Sequence, residues 1–130
     1  MKQPITESEV EQLALDILSD LKYKILHGPD IAPDGANPER QSYADVILIA
    51  RLREAVERFN PEIPDEAKEE AIKQILRVES PELIVNNQRF HKMLVNGVDV
   101  EFRRGDRVVP YKVWLFDFQN PLQNEFLAVN

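Results

Sequence analysis

The sequence predicts an α/β chain, with helices first and most β segments later. Three observations carry this. Apolar residues recur at helical spacing in four stretches before residue 97. From Val98 the pattern changes to alternation rich in β-branched and aromatic residues, as in VDVEF and RVVPYKVWLFDF. A short apolar segment, Tyr23 to Leu26, already reads as a strand near the N-terminus, so it has to join the late strands in a mixed sheet.

In chain order, Thr6 and Glu9 form a Thr-x-x-Glu capping box that opens the first helix, with Ile5 and Val10 at the staple positions. Val10, Leu13, Ala14, Ile17, Leu18 and Leu21 then make one apolar stripe. Lys22 and Lys24 near the exit suit the helix dipole. After the Tyr23–Leu26 strand, Gly28, Pro29, Asp30, Pro33, Asp34, Gly35, Asn37 and Pro38 argue against any regular element between His27 and Gln41. A loop of about fifteen residues is unusual in a compact domain and is often functional.

Ser42 is positioned to cap a second helix running to about Phe59, with Leu48, Leu52, Ala55, Val56 and Phe59 facing inward and Asn60-Pro61 as its stop. Pro64 starts a third helix, DEAKEEAIKQIL, facing inward through Ala67, Ala71, Ile72, Ile75 and Leu76. Ser80-Pro81-Glu82 reads as the next start, Ser as cap and Pro at the first helical position. That helix carries Leu83, Asn87, Phe90 and Leu94 on one side and stops at Asn96-Gly97. A hairpin follows around Arg104-Gly105-Asp106, with Pro110 at an edge or a bulge. After a turn at Asn120-Pro121, Glu125 to Asn130 reads as a strand beginning, which makes the chain look like a piece of something longer. The organisation is one domain or part of one, helical over residues 6–96 and mainly strand over 98–130, with no internal repeat.

Composition narrows the function classes. Lys and Arg number 16 against 23 Asp and Glu, a net charge of −7 over 130 residues. Such a surface repels a phosphate backbone and disfavours a non-specific nucleic-acid binder, although local basic patches stay compatible with it. With no cysteine there is neither a disulfide framework nor a thiolate metal site. No apolar run approaches the roughly 20 residues of a membrane helix. MKQPITESEVEQ lacks the apolar core of a signal peptide, so a cytoplasmic protein with no membrane partner is expected.

Candidate chemistry starts from Pro29-Asp30 followed by Glu66-Ala67-Lys68, a literal PD…ExK pattern. In such a site two carboxylates hold a hard divalent cation through oxygen, and the Lys steadies charge or water. That requires the E-x-K to lie along a strand. Here it falls in the first turn of a polar helix, where residues two apart diverge by about 200°, so Glu66 and Lys68 read as a solvated helix start. Asp30 and Asp34 read as turn residues. His27 and His91, without a third partner at metal spacing, read as ordinary histidines. Glu7 and Glu11 share one face of the first helix, and spacing alone makes them solvating residues. Arg103, Arg104 and Arg107 crowd the hairpin tip, and Asn86, Asn87, Phe90 and His91 form a polar-aromatic face suited to docking.

Several stretches carry a resemblance that spacing does not: TESEVEQLALDIL, LHGPDIAPDG, RQSYADVILIARLREAVERFNP, SPELIVNNQRFHKMLVNGVDVEFR and LFDFQNPLQNEFLAVN. Together they resemble the N-terminal region of type I restriction enzyme R subunits, over essentially the whole chain. The resemblance implies the N-terminal part, 1–130, of a PD-(D/E)xK restriction-endonuclease-like domain: a leading helix, a helical insert and the first strands of the sheet. It implies that the metal-binding Asp and the E-x-K lie on strands beyond residue 130. It also implies an auxiliary acidic role for Glu7 and Glu11, which match the acidic positions that nucleases of this group bring from their first helix. No GxxxxGK[ST] loop is present. The resemblance implies Mg²⁺ and ATP as cofactors of the full-length protein, and none is expected of these 130 residues.

The resulting expectation is a fragment of the endonuclease/motor subunit, whose full-length form cleaves duplex DNA after ATP-dependent translocation, with DNA and the modification and specificity subunits as partners. The alternative is a standalone acidic interaction module of a DNA-processing complex. A strand, an Asp and an apolar-flanked E-x-K after Asn130 would separate the two. An unpaired last strand also offers a route to self-association.

Overall fold

The computed structural model describes residues 3–130 and shows a mixed helix-and-strand α/β chain. It divides into two compact units, one made of residues 1–45 with 125–130 and the other of residues 46–124. The second is thus inserted, in sequence, between parts of the first.

In the first unit, helix α1 (Glu7–Asp20) begins at the expected capping box. The Thr6 hydroxyl accepts the Glu9 N–H at 3.2 Å, and the Glu9 carboxylate accepts the Thr6 N–H at 2.8 Å. Lys22 leaves the helix with φ +74, the left-handed exit conformation more usual for glycine. The apolar stripe is uncovered: Val10, Leu13, Ile17 and Leu21 are all exposed, and α1 buries none of its residues. Strand β1 (Lys24–Leu26) pairs in parallel with β4 (Leu127–Val129), Lys24 opposite Leu127 and Leu26 opposite Val129. The Tyr23 and Phe126 rings meet beside this pair at 5.4 Å. Gly28 N–H donates to the Asn130 carbonyl at 2.7 Å, and a Cβ there would lie 2.2 Å from that oxygen, so only glycine permits the approach.

The His27–Gln41 segment is more regular than its composition predicts. Gly28–Ile31 forms a one-turn helix, α2, with Pro29 in its first turn, where a missing N–H costs nothing. Ile31 and Ala32 are buried, and the Ile31 carbonyl accepts both Glu39 and Arg40 N–H. Ser42 does not cap a helix. Its hydroxyl accepts the Ala44 N–H, the Asp45 carboxylate accepts the Gln41 and Ser42 N–H groups, and the chain turns here.

In the second unit, α3 (Ile49–Phe59) starts six residues later than expected, with Leu48 at the N-cap in place of Ser42, and α4 (Asp65–Leu76) falls where the sequence places it. Helix α5 (Leu83–Asn96) starts after Glu82, not at Pro81. The reason is Asn86, whose side chain accepts the Ser80 N–H at 3.1 Å and donates to the Ser80 carbonyl at 2.8 Å, holding Ser80-Pro81 outside the helix as a closed turn. Gly97, φ +79, ends α5 and leads into a hairpin of β2 (Val98–Arg104) and β3 (Arg107–Val113). Its tight turn has Gly105 at φ +59, a conformation primed hairpin turns reserve for glycine. Pro110 faces Glu101 on what is necessarily an edge strand. The core joins Val56 of α3, Ala71, Ile72 and Ile75 of α4, Met93 of α5 and the inward valines Val98, Val100 and Val113. Parallel and antiparallel pairing both occur, in two separate two-stranded sheets; the early strand joins β4 and not the hairpin.

Candidate functional site

Glu7 and Glu11 stand one helical turn apart on α1, both exposed, while Glu9 between them is committed to the cap. Its bond from the Thr6 N–H holds the Glu9 carboxyl below its usual pKa, with the Thr6 hydroxyl adding to the effect. Asp30 sits in α2, exposed, in the first unit, and Glu66 and Lys68 belong to the second.

Two further residues of the 27–45 segment are tied to each other. The Tyr43 hydroxyl donates to the Asp34 carboxylate, which lowers the carboxyl pKa and raises that of the phenol. Arg40 Nε donates to the Asp45 carbonyl at 2.9 Å, and its guanidinium also reaches the Tyr43 carbonyl. Asp34 therefore organises a loop. His27 Nδ1 lies 3.2 Å from the Asn130 side-chain oxygen, a contact across the β1/β4 end of the unit.

Lys68 is not a solvated residue. It is 5% exposed, and its ammonium donates to Glu57 at 2.9 Å and to Asp65 at 3.3 Å. The Glu57 bond raises its pKa above the ordinary 10.5 against the opposing effect of burial. Glu66, two residues earlier, is exposed, as the helical divergence of the pair requires. The E-x-K pattern is thus a helix start whose Lys links α4 to α3. Among the described residues no three His, Cys, Asp or Glu side chains come together as a metal site would need.

Arg103, Arg104 and Arg107 lie exposed at the hairpin tip, with Arg104 directly opposite Arg107. On α5, Asn86 is occupied with Ser80, whereas Asn87, Phe90 and His91 are exposed. Among the described residues no helix is long and apolar enough to cross a membrane.

Sequence reasoning missed an aromatic cleft at the end of α3. Phe59, Trp114, Phe116 and Phe118 line it together with Asp117 and Gln119. The readable signal was three aromatic residues at alternate positions 114, 116 and 118, which was assigned to a continuing strand; β3 stops at Val113.

A family model described as the type I restriction enzyme R protein N terminus matches residues 4–130. The chain is 32% identical over 126 residues to the type I restriction enzyme HindI endonuclease subunit of Haemophilus influenzae, an alignment covering 97% of this chain and 12% of that protein. It is 34% identical over 121 residues to the putative type I restriction enzyme MjaIXP endonuclease subunit of Methanocaldococcus jannaschii, covering 93% of this chain and 11% of the relative. The chain thus spans only about an eighth or a ninth of the length of these relatives. No solved structure matches it. With the match running from residue 4 to residue 130, the chain belongs to the family of type I restriction enzyme R protein N-terminal regions.

Proposed function

We propose that this chain is the N-terminal part of the nuclease domain of a type I restriction R subunit. The full-length form would cleave duplex DNA in a Mg²⁺-dependent step after ATP-driven translocation, alongside modification and specificity subunits. One observation carries the reading: two relatives named endonuclease subunits align along 97% and 93% of the chain.

The residues present do not by themselves fit a Mg²⁺ ion. Mg²⁺ demands near-octahedral oxygen ligation, and no cluster of three or more acidic or imidazole side chains exists among the described residues. The reading therefore assigns the metal-binding Asp and the E-x-K to sequence after residue 130. Glu7 and Glu11 are assigned an auxiliary part: two exposed carboxylates, one turn apart on the leading helix, free of the capping duty that occupies Glu9.

The test is made in the full-length subunit. Glu7→Gln keeps size and helix position and removes the charge. It is expected to slow DNA cleavage by about tenfold or more, the scale on which groups supporting a metal site act, with ATP turnover kept. Wild-type cleavage together with wild-type ATP turnover would reduce Glu7 to a helix-start residue. The 130-residue chain alone is expected to leave DNA intact in Mg²⁺, and cutting by it would overturn the placement of the ligands.

A further inference from the structure

The nuclease reading leaves the aromatic cleft of the second unit without a task. Phe59, Trp114, Phe116 and Phe118 enclose about 330 Å³ with Asp117 and Gln119, at the small end of the roughly 300–1,000 Å³ usual for ligand pockets. Aromatic rings are normally the most profitable groups to bury. Here Trp114 keeps 39% and Phe118 56% of its surface in solvent.

The exposure is not that of a loose loop. Asn60, itself 3% exposed, donates to the Trp114 carbonyl and accepts the Trp114 N–H, both at 2.8 Å. Asp117 Oδ1 accepts the Gln119 and Asn120 N–H groups at 3.0 and 2.9 Å. The Asn124 side chain holds the Asp117 N–H and carbonyl, both at 2.8 Å. Phe116 and Phe118 sit 4.8 Å apart at 57° on this braced segment. The fold thus holds the rings in place with part of their surface open.

Cations stand beside these rings. The Arg58 guanidinium lies 4.8 Å from the Phe59 ring centre, fixed by Nε donating to the Gln123 carbonyl at 3.0 Å. The Lys112 ammonium lies 5.8 Å from the Trp114 ring centre but is held there by the Asn96 carbonyl at 3.0 Å and by Asp99 at 3.3 Å, so among the described residues Arg58 is the cation of the pair without a carboxylate partner. Residues 83–124 carry six Lys and Arg against four Asp and Glu, within a chain of net charge −7.

We infer that the cleft receives an unstacked nucleobase. Partly exposed aromatic rings stack on any base, the Gln119 amide and the second Asp117 oxygen offer a donor and acceptors to a base edge, and the Arg58 guanidinium, which uses only its Nε on Gln123, suits the attached phosphate. An apolar side chain of a protein partner would use the rings but not Arg58. The inference rests on the reading of the chain as part of a DNA-acting subunit. The base can come from a single strand or from a free nucleotide.

Trp114 is the only tryptophan, so its fluorescence reports occupancy directly. The 130-residue chain is titrated with single-stranded oligothymidylate, a duplex of equal length and thymidine monophosphate. Quenching by oligothymidylate but not by duplex at the same concentration is expected, and it supports a strand as the source. Quenching by the mononucleotide alone supports the base pocket and assigns it to free nucleotide. Phe118→Ala is expected to weaken the interaction about tenfold or more and Phe118→Tyr to preserve it. No response to any of the three probes, an equal response to duplex, or undiminished binding by Phe118→Ala overturns the inference. The wild-type contrast between strand and duplex needs no variant to fold. The nuclease reading is scored separately, as cleavage by the full-length subunit, and stands whichever way Trp114 responds.

Discussion

Replacing Asn60 by Ala should unlatch the second unit. Asn60 follows α3 and is 3% exposed. Its amide donates at 2.8 Å to both the Val56 and Trp114 carbonyls, and its oxygen accepts the Trp114 N–H at 2.8 Å. One side chain therefore closes the end of α3 and fastens it to the chain leaving β3. Alanine strands three main-chain groups. A net bond is worth about 1 kcal/mol, and a buried group left unpaired costs about 1–3 kcal/mol. Trp114 is 39% exposed, so water partly rescues two of the three groups. The loss is then about 3 kcal/mol, which at a urea slope of about 2 kcal/mol/M lowers the unfolding midpoint by about 1.5 M. Trp114 fluorescence in urea reads this unit directly. Asn60→Asp, which keeps the acceptor for the Trp114 N–H but sets a carboxylate against two carbonyls, should fare no better than Ala at neutral pH. A midpoint within about 0.3 M of wild type for Asn60→Ala, or a wild-type Asn60→Asp, would refute the latch.

The same assay tests two other positions. Gly97→Ala forces a Cβ onto a residue at φ +79, 2.9 Å from the Lys112 Cγ and 3.2 Å from the Val113 carbonyl, and should cost about 1–2 kcal/mol; an unchanged midpoint would contradict the strain. Lys68 has its pKa raised, first by the Glu57 hydrogen bond, so its contribution is complete below the unfolded value near 10.5 and fades as pH climbs through the higher folded one. Wild-type stability should fall more steeply above that pH than that of Lys68→Met; parallel alkaline profiles would remove Lys68 from the account.

Local signals in the sequence were dependable where one side chain decides the outcome locally. The Thr6–Glu9 box, the Pro64 start of α4 and the Gly97 exit of α5 appear as read. They failed where a contact further along intervened. Ser42 and Ser80 each have the chemistry of a cap, but each hydroxyl accepts the N–H two residues on, that of Ala44 or Glu82, and closes a turn while the helix starts later. The fifteen-residue loop hid a helical turn because Gly28 and Pro29, read as breakers, are also acceptable in a first turn. The Arg104-Gly105-Asp106 turn signal paired β2 with β3, as found, but nothing in the Tyr23–Leu26 segment tells which late strand it joins; it takes β4. Periodicity on α1 showed that the helix has an apolar face; it could not show that Val10, Leu13 and Ile17 stay exposed in these 130 residues.

Lys68 shows why a motif needs its backbone. Read as letters, Glu66-Ala67-Lys68 completes a nuclease signature begun at Pro29-Asp30. Along a strand, Glu and Lys would share a face; along α4 they separate, and Glu66 goes to solvent while Lys68 goes under Glu57. Burial then makes the ammonium hard to spare. Withdrawing it from Glu57 and Asp65 to steady a phosphate would leave the place its side chain fills between α3 and α4 empty, although the two carboxylates are themselves open to water. The residue a literal search selects for catalysis is already spent on joining α3 to α4.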